Sequence, residues 1–283
     1  IGVMMNIKKL PKYLIRNFRD GKGHWARRNE VNLFDWDYKP NVGDALAPVI
    51  YEWMLDRKGL SANTQTKGTK HLLTVGSVLG LSDQDATVWG SGIHLLSSVI
   101  KLTTERNIRK LDIRAVRGPV TALILKNIGY KVPKVYGDPA ILMPLIYQTQ
   151  NTDKKYRYSV ICHMHTQIGC GENEDIHYID IKTTDYKRVI DEIVMSEHII
   201  SSSLHGIILA EAYRVPAVML CSGVEDELLK YYDWYYSTGR KMIPMVSSIN
   251  EGIERENMYE MPPVFDEMQD KLIKAFPYDL FNK

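Results

Sequence analysis

Ile199-Ile200-Ser201-Ser202-Ser203-Leu204-His205-Gly206-Ile207-Ile208 reads as a buried strand that stops, a run of three serines, and an apolar helix with a histidine in its first turn. A strand, a small polar junction and a helix in this order belong to a parallel α/β sheet, where ligands bind beyond the carboxyl ends of the strands. The free N–H groups and positive dipole end of such a helix suit an anion. A histidine beside them can exchange protons with a bound phosphate ester.

The same alternation extends outward from that junction. Upstream, strands are expected over Val31–Trp36, Leu72–Val75, Thr87–Trp89, Ile113–Val116 and Lys134–Tyr136. Helices are expected over Asp44–Leu55, with Asp44 as cap and Pro48 in the first turn, and from Pro119 to Asn127, stopped by Gly129. A polar stretch, Gln148–Tyr156, then interrupts the pattern. It restarts with strands over Tyr158–Cys162, His177–Ile181, His198–Ile200 and Ala217–Leu220. The helices of this part are Asp185–Met195, His205–Tyr213, Asp226–Tyr236 and Phe265–Ala275. The expected fold is therefore α/β: two Rossmann-like, doubly wound domains, residues 1–150 and 151–283, facing across a cleft. The last helix is placed to pack back on the first domain.

Composition narrows the function. With 36 Lys and Arg against 34 Asp and Glu, the formal charge is +2, and no nucleic-acid partner is implied. Eight Lys or Arg between Lys8 and Arg28 form the one basic stretch, read as a solvated leader or a weak anchor for an anionic surface. No apolar run reaches the ~18 residues of a spanning helix, and no apolar signal region is read near the N-terminus. A cytoplasmic protein is expected, with a peripheral contact at the inner face of a membrane left open. The three cysteines, Cys162, Cys170 and Cys221, fit a reducing compartment. Cys162-His163-Met164-His165 lacks a C-x-x-C spacing, so it is read as a strand end, and no metal or other cofactor is expected.

Several junctions carry candidate site residues. No G-x-x-x-x-G-K-[ST] is present, and Gly90-Ser91-Gly92 lacks the third glycine of a dinucleotide fingerprint. Ser91 and Gly92 are instead read as backbone that approaches a ligand closely. Arg117 follows a strand and offers a fork for a carboxylate or phosphate, or else caps the sheet edge. His205 is read as a general acid/base, with Ser202, Ser203 and Gly206 around it; the alternative is a core histidine donating to a carbonyl. Gly43-Asp44 and Gly137-Asp138 each set an aspartate at a junction, where it either caps and shapes the turn or binds a sugar hydroxyl. His163 could face the cleft. Lys230 is either a second cation for an anionic ligand or a solvated lysine.

These junctions, taken together, resemble the polysaccharide pyruvyl transferase family. The similarity is carried by Asn41-Val42-Gly43-Asp44, Val116-Arg117-Gly118-Pro119, Gly137-Asp138-Pro139-Ala140 and Ser201-Ser202-Ser203-Leu204-His205-Gly206, in order, with Leu229-Lys230-Tyr231-Tyr232-Asp233 downstream. It covers residues 31 to 240 or so. The chain departs from the family pattern in having Gly118 where Asp is common, and Cys162 where Pro is common. The resemblance implies a GT-B-like fold and transfer of pyruvate from phosphoenolpyruvate to a sugar as a ketal. It carries the family's catalytic histidine onto His205 and its phosphoenolpyruvate-binding arginine onto Arg117. The acceptor would be a nucleotide- or lipid-linked sugar of a surface or exported polysaccharide. A GT-B-like glycosyltransferase using a nucleotide sugar, and a non-catalytic glycan-binding member, are the other readings of the same features.

Overall fold

A computed structural model of the chain describes residues 26–34, 39–150, 152–163, 176–221 and 228–282. Most of the basic N-terminal stretch, Asp35-Trp36, Cys170 and Asp226 lie outside these residues.

Short apolar strands stack into two wholly parallel sheets. The first contains β1 (Val31–Phe34), β2 (Lys70–Leu73), β3 (Ala86–Trp89) and β4 (Leu111–Ala115), side by side in that order. The expected fifth strand is reduced to one bridge, Val116 to Tyr136. The second sheet contains β5 (Tyr156–Ile161), β6 (His177–Tyr178), β7 (Ser196–Ser201), β8 (Ala217–Leu220) and β9 (Met245–Val246), in the spatial order β6-β5-β7-β8-β9. All four residues of β3 and of β8 are buried, as strands covered on both faces must be.

The winding of the two sheets differs. Among the described residues the first sheet steps in one direction only, so the doubly wound order expected for it is not what forms. In the second, the chain goes from β5 out to β6 and returns on the far side as β7. That reversal opens a crevice at the carboxyl ends of β5 and β7.

Helix α1 (Val42–Asp56) begins two residues earlier than expected. Asn41, not Asp44, is its cap: Asn41 is extended, and its side chain accepts from the Gly43 N–H at 2.8 Å. Pro48 consequently lies in the helix interior, where it deprives the Asp44 carbonyl of its helical donor. Helix α2 (Leu96–Thr104) has no side-chain cap and is rich in β-branched residues, which hid it from the sequence reading. Helices α3 (Pro119–Asn127), α4 (Met143–Ile146), α5 (Tyr186–Val194) and α6 (Leu204–Ala212) follow. The chain closes with α7 (Leu228–Ser237), α8 (Ile249–Glu254) and α9 (Asp266–Ala275).

Contacts at several points tie the two sheets together. The Val42 N–H, at the start of α1, donates to the Ile181 carbonyl at 3.0 Å. Helix α7 packs on α3. Helix α9 lies near β4, where the indole of Trp89 donates to the Leu272 carbonyl at 2.8 Å and meets Phe276 edge-on at 4.9 Å. Cys162 is disulfide-bonded and Cys221 is free. The bridge at Cys162 departs from the reducing compartment expected from the three cysteines. Among the described residues, no helix is long and apolar enough to cross a membrane.

Candidate functional site

A pocket of about 250 Å³ lies where the carboxyl ends of both sheets meet. After β2 come Gly76, Ser77 and Val78, and after β3 comes His94. The start of α1 gives Asn41 and Asp44. From the second sheet, His163 follows β5, and Ser203 to His205 follow β7, on the two sides of the switch point. Lys230 enters from α7. A larger hollow, about 1010 Å³, is an open groove beside the start of β4, at the other end of that strand. It shares no residue with the pocket.

The pocket suits a small anion. The first turns of α1 and α6 both line it and bring the positive ends of their dipoles to it, with the Val42 and Gly43 N–H groups of α1 already taken by the Ile181 carbonyl and the Asn41 side chain. Lys230 is only 4% exposed, so the solvated-lysine reading is set aside: its charge sits in the pocket wall. Tyr231, its neighbour, donates to the Ser202 carbonyl at 2.7 Å and holds α7 to the serine run.

The serines divide the work of the turn. Ser201 Oγ bonds the carbonyl and N–H of Ser203, fixing the bend. Ser202 Oγ accepts from the His163 N–H at 2.8 Å, joining the two strand ends. Ser203 caps α6 by accepting from the Gly206 N–H at 3.4 Å, and it lines the pocket. Gly206 faces away: a Cβ there would strike Ser201 Oγ and Ile161, so this glycine serves helix-on-strand packing rather than a ligand.

His205 projects across the pocket into the first half of the molecule. Its side chain is 16% exposed, and its Nε2 lies 3.7 Å from Oδ2 of wholly buried Asp138. The other carboxylate oxygen of Asp138 accepts from the Ala140 N–H at 3.0 Å, so this aspartate both shapes its turn and faces the histidine. On its far side the imidazole abuts Gly43. A Cβ added there would sit 2.1 Å from His205 Nδ1, closer than any real contact.

Gly43 therefore makes room for the ring rather than for a ligand. Gly43→Ala is expected to keep the fold, because alanine suits a helix and the imidazole can swing aside. The displaced ring should cost on the order of 10²-fold in turnover. Thermal unfolding measured beside turnover checks this; full activity in that variant would show the position of the ring to be unimportant.

Arg117, Ser91 and Gly92 lie behind the wall. The Arg117 guanidinium is completely buried. Its Nε donates to Asp233 Oδ2 at 3.2 Å, its Nη2 to the Ile93 carbonyl at 2.8 Å, and its Nη1 to Ser77 Oγ at 2.6 Å. Only through Ser77 does it reach the pocket. Gly92 packs flat against this guanidinium, and Ser91 Oγ donates to the Gly76 carbonyl and accepts from the Val78 N–H. Neither contacts the pocket, so the ligand approach expected of both is replaced by support for the Gly76–Val78 turn. Gly118 also has a reason: a Cβ would fall 1.9 Å from the Asp233 carbonyl oxygen, so no side chain fits beside α7.

Sequence reasoning missed His94, Ser77 and Asp233. His94 and Ser77 follow strand ends just as the recognised residues do, which is the signal that could have found them. Asp233 ends the Leu229–Asp233 stretch of the resemblance, but nothing there marks its partner, which lies 116 positions away.

Known proteins share this pattern. Residues 81–220 match the family model described as polysaccharide pyruvyl transferase. A mimivirus protein of Acanthamoeba polyphaga, described as uncharacterized protein L143, is 27% identical over 221 residues, 74% of this chain and 75% of its own length. The succinoglycan biosynthesis protein ExoV of Rhizobium meliloti is 32% identical over 136 residues, 46% of this chain and 42% of that protein. The crystal structure of a functionally uncharacterized protein from Klebsiella pneumoniae matches with a TM-score of 0.52 at 12% identity, covering 84% of this chain and 95% of that one. That last likeness is one of fold alone.

Proposed function

Over residues 81–220 the chain belongs to the polysaccharide pyruvyl transferase family, and on that premise we propose that it moves pyruvate from phosphoenolpyruvate onto a sugar of a polysaccharide precursor as a ketal. The observation that carries this reading is the pocket itself. Two helix N-termini and a buried lysine converge on a small space lined by the imidazoles of His94, His163 and His205. That combination fits a compact acid phosphate.

In this reading the phosphate and carboxylate of phosphoenolpyruvate are held by the first turns of α1 and α6 and by Lys230. Protonated His205 gives its proton to the methylene carbon, leaving a cationic carbon that bears the phosphate and carboxylate. One sugar hydroxyl adds there and loses its proton. A second hydroxyl, on the same sugar, displaces the phosphate and closes the ring. Two protons leave the hydroxyls; one balances the proton placed on carbon and the other leaves with phosphate. The helix ends and Lys230 stabilise the departing anion. Arg117 contributes by holding Ser77, and Asp44 lies where it can accept from an acceptor hydroxyl. The two halves act as GT-B-like lobes, the enzyme works in the cytoplasm, no cofactor takes part, and the acceptor is nucleotide- or lipid-linked.

Phosphoenolpyruvate alone should raise the unfolding temperature, since a ligand of the native state stabilises by mass action. With a panel of nucleotide- and lipid-linked sugars, phosphate should be released and label from the pyruvyl carbons should appear on one acceptor. Stabilisation by a nucleotide sugar and none by phosphoenolpyruvate would instead identify a glycosyltransferase.

A further inference from the structure

Two buried polar atoms face each other across the junction of the two halves. His205 Nε2 and Asp138 Oδ2 are each enclosed without a hydrogen-bond partner, and they stand 3.7 Å apart. Leaving a buried carboxylate oxygen and a buried ring nitrogen unpaired is costly. An approach of less than about 1 Å would join them in a charge-assisted bond. Their backbones come from opposite halves, since Asp138 precedes a short 3-10 turn (Pro139–Leu142) and His205 sits in α6.

From this juxtaposition we infer that Asp138 is the positioning residue of His205, closing onto Nε2 when the two halves draw together over a ligand. The inference rests on the proposed role of His205 but concerns Asp138, which the sequence reading took as a ligand contact or a turn former. With Nε2–H committed to the carboxylate, Nδ1, beside the α-carbon of Gly43, is the nitrogen that exchanges a proton with the ligand. The carboxylate also favours the imidazolium, which a proton donor to carbon requires. Closure thus couples the binding of the donor to the arming of the acid.

The other charged and titratable groups facing the ring belong to the same pocket: Asp44 from α1, His94 after β3, His163 after β5, and Lys230 from α7. Asp138 stands at ion-pair distance from the ring. The two histidines and the lysine disfavour the imidazolium when charged, and Asp44 favours it. Asp138 is the group whose removal should move the ring most.

The test is imidazole nitrogen NMR on the whole protein, in wild type, Asp138→Asn and Asp138→Ser. Asparagine keeps the oxygen that accepts from the Ala140 N–H, and serine keeps a capping hydroxyl, so both preserve the turn. In wild type saturated with phosphoenolpyruvate, neutral His205 should carry its proton on Nε2. In Asp138→Ser the neutral ring should lose its preference for the Nε2–H form. In Asp138→Asn the neutral ring should switch to the Nδ1–H form, because the amide N–H donates to Nε2. Turnover should fall by roughly 10²- to 10⁴-fold, with KM for phosphoenolpyruvate little changed.

A ring that keeps its proton on Nε2 in both variants would overturn the inference. So would a wild-type ring protonated on Nδ1, a result that does not depend on either variant folding. A raised KM with unchanged kcat would make Asp138 a ligand contact instead. If the protein never consumes phosphoenolpyruvate, the functional reading fails, yet the tautomer of His205 in the unliganded wild type and variants still decides the pairing.

Discussion

Replacing His205 by alanine is expected to lower turnover with phosphoenolpyruvate and acceptor by roughly 10²- to 10⁴-fold, the range removed with a general acid. The fold should survive. The ring is partly exposed, its Nε2 makes no hydrogen bond, and it borders Gly43 and the pocket space. The cap of α6 belongs to Ser203 and is untouched. Phosphoenolpyruvate should still stabilise the variant against heat, because the helix ends and Lys230 remain. A fall in kcat with KM held identifies an interaction made in the transition state. Near-wild-type phosphate release would remove His205 from the mechanism and leave the pocket as a binding site only.

The histidine was legible because the signal around it is local. A run of apolar residues, three serines and a glycine specify strand end, cap and helix start within ten positions. Ser203 caps α6 as a serine in that place should. The start of α1 was less legible for a physical reason. Asn41 and Asp44 are both good caps, and the choice depends on which backbone is extended; Asn41 is, at φ −154°. The winding of the first sheet was not legible either, since parallel strands separated by helices read alike whether the order reverses or not. Lys230 and Arg117 show the same limit at the level of single charges. Sequence assigns charge to a residue but not depth, and both lie inside. Their depth comes from α7, whose Lys230 and Asp233 stand three positions apart on one face, the first toward the pocket and the second against Arg117.

That pairing leads to the largest expected change in stability. Arg117 and Asp233 are both wholly buried, and their bond joins the two halves of the molecule. Besides Arg117 Nε, Asp233 accepts from the Thr121 N–H at 2.9 Å and from Thr121 Oγ1 at 2.7 Å. Arg117→Met removes the cation, leaves the carboxylate charged in a dry site, and orphans the Ile93 carbonyl. Breaking one side of a buried pair costs about 3–5 kcal/mol, a large share of the roughly 5–15 kcal/mol that holds a domain folded. Arg117→Lys should recover little, because one ammonium cannot reach Asp233, Ile93 and Ser77 in the planar fork they fit. The double variant Arg117→Met with Asp233→Asn should recover part of the loss, because the amide keeps an acceptor for Thr121 and no bare charge remains. Denaturant unfolding of the single and double variants measures the coupling directly. The same experiment decides how the arginine acts. If it supports Ser77 from behind the wall, Arg117→Met loses stability and turnover together. If Arg117→Met stays within about 0.5 kcal/mol of wild type while phosphoenolpyruvate no longer stabilises it, the guanidinium must grip the ligand itself, and the buried pair seen here must open when the ligand binds.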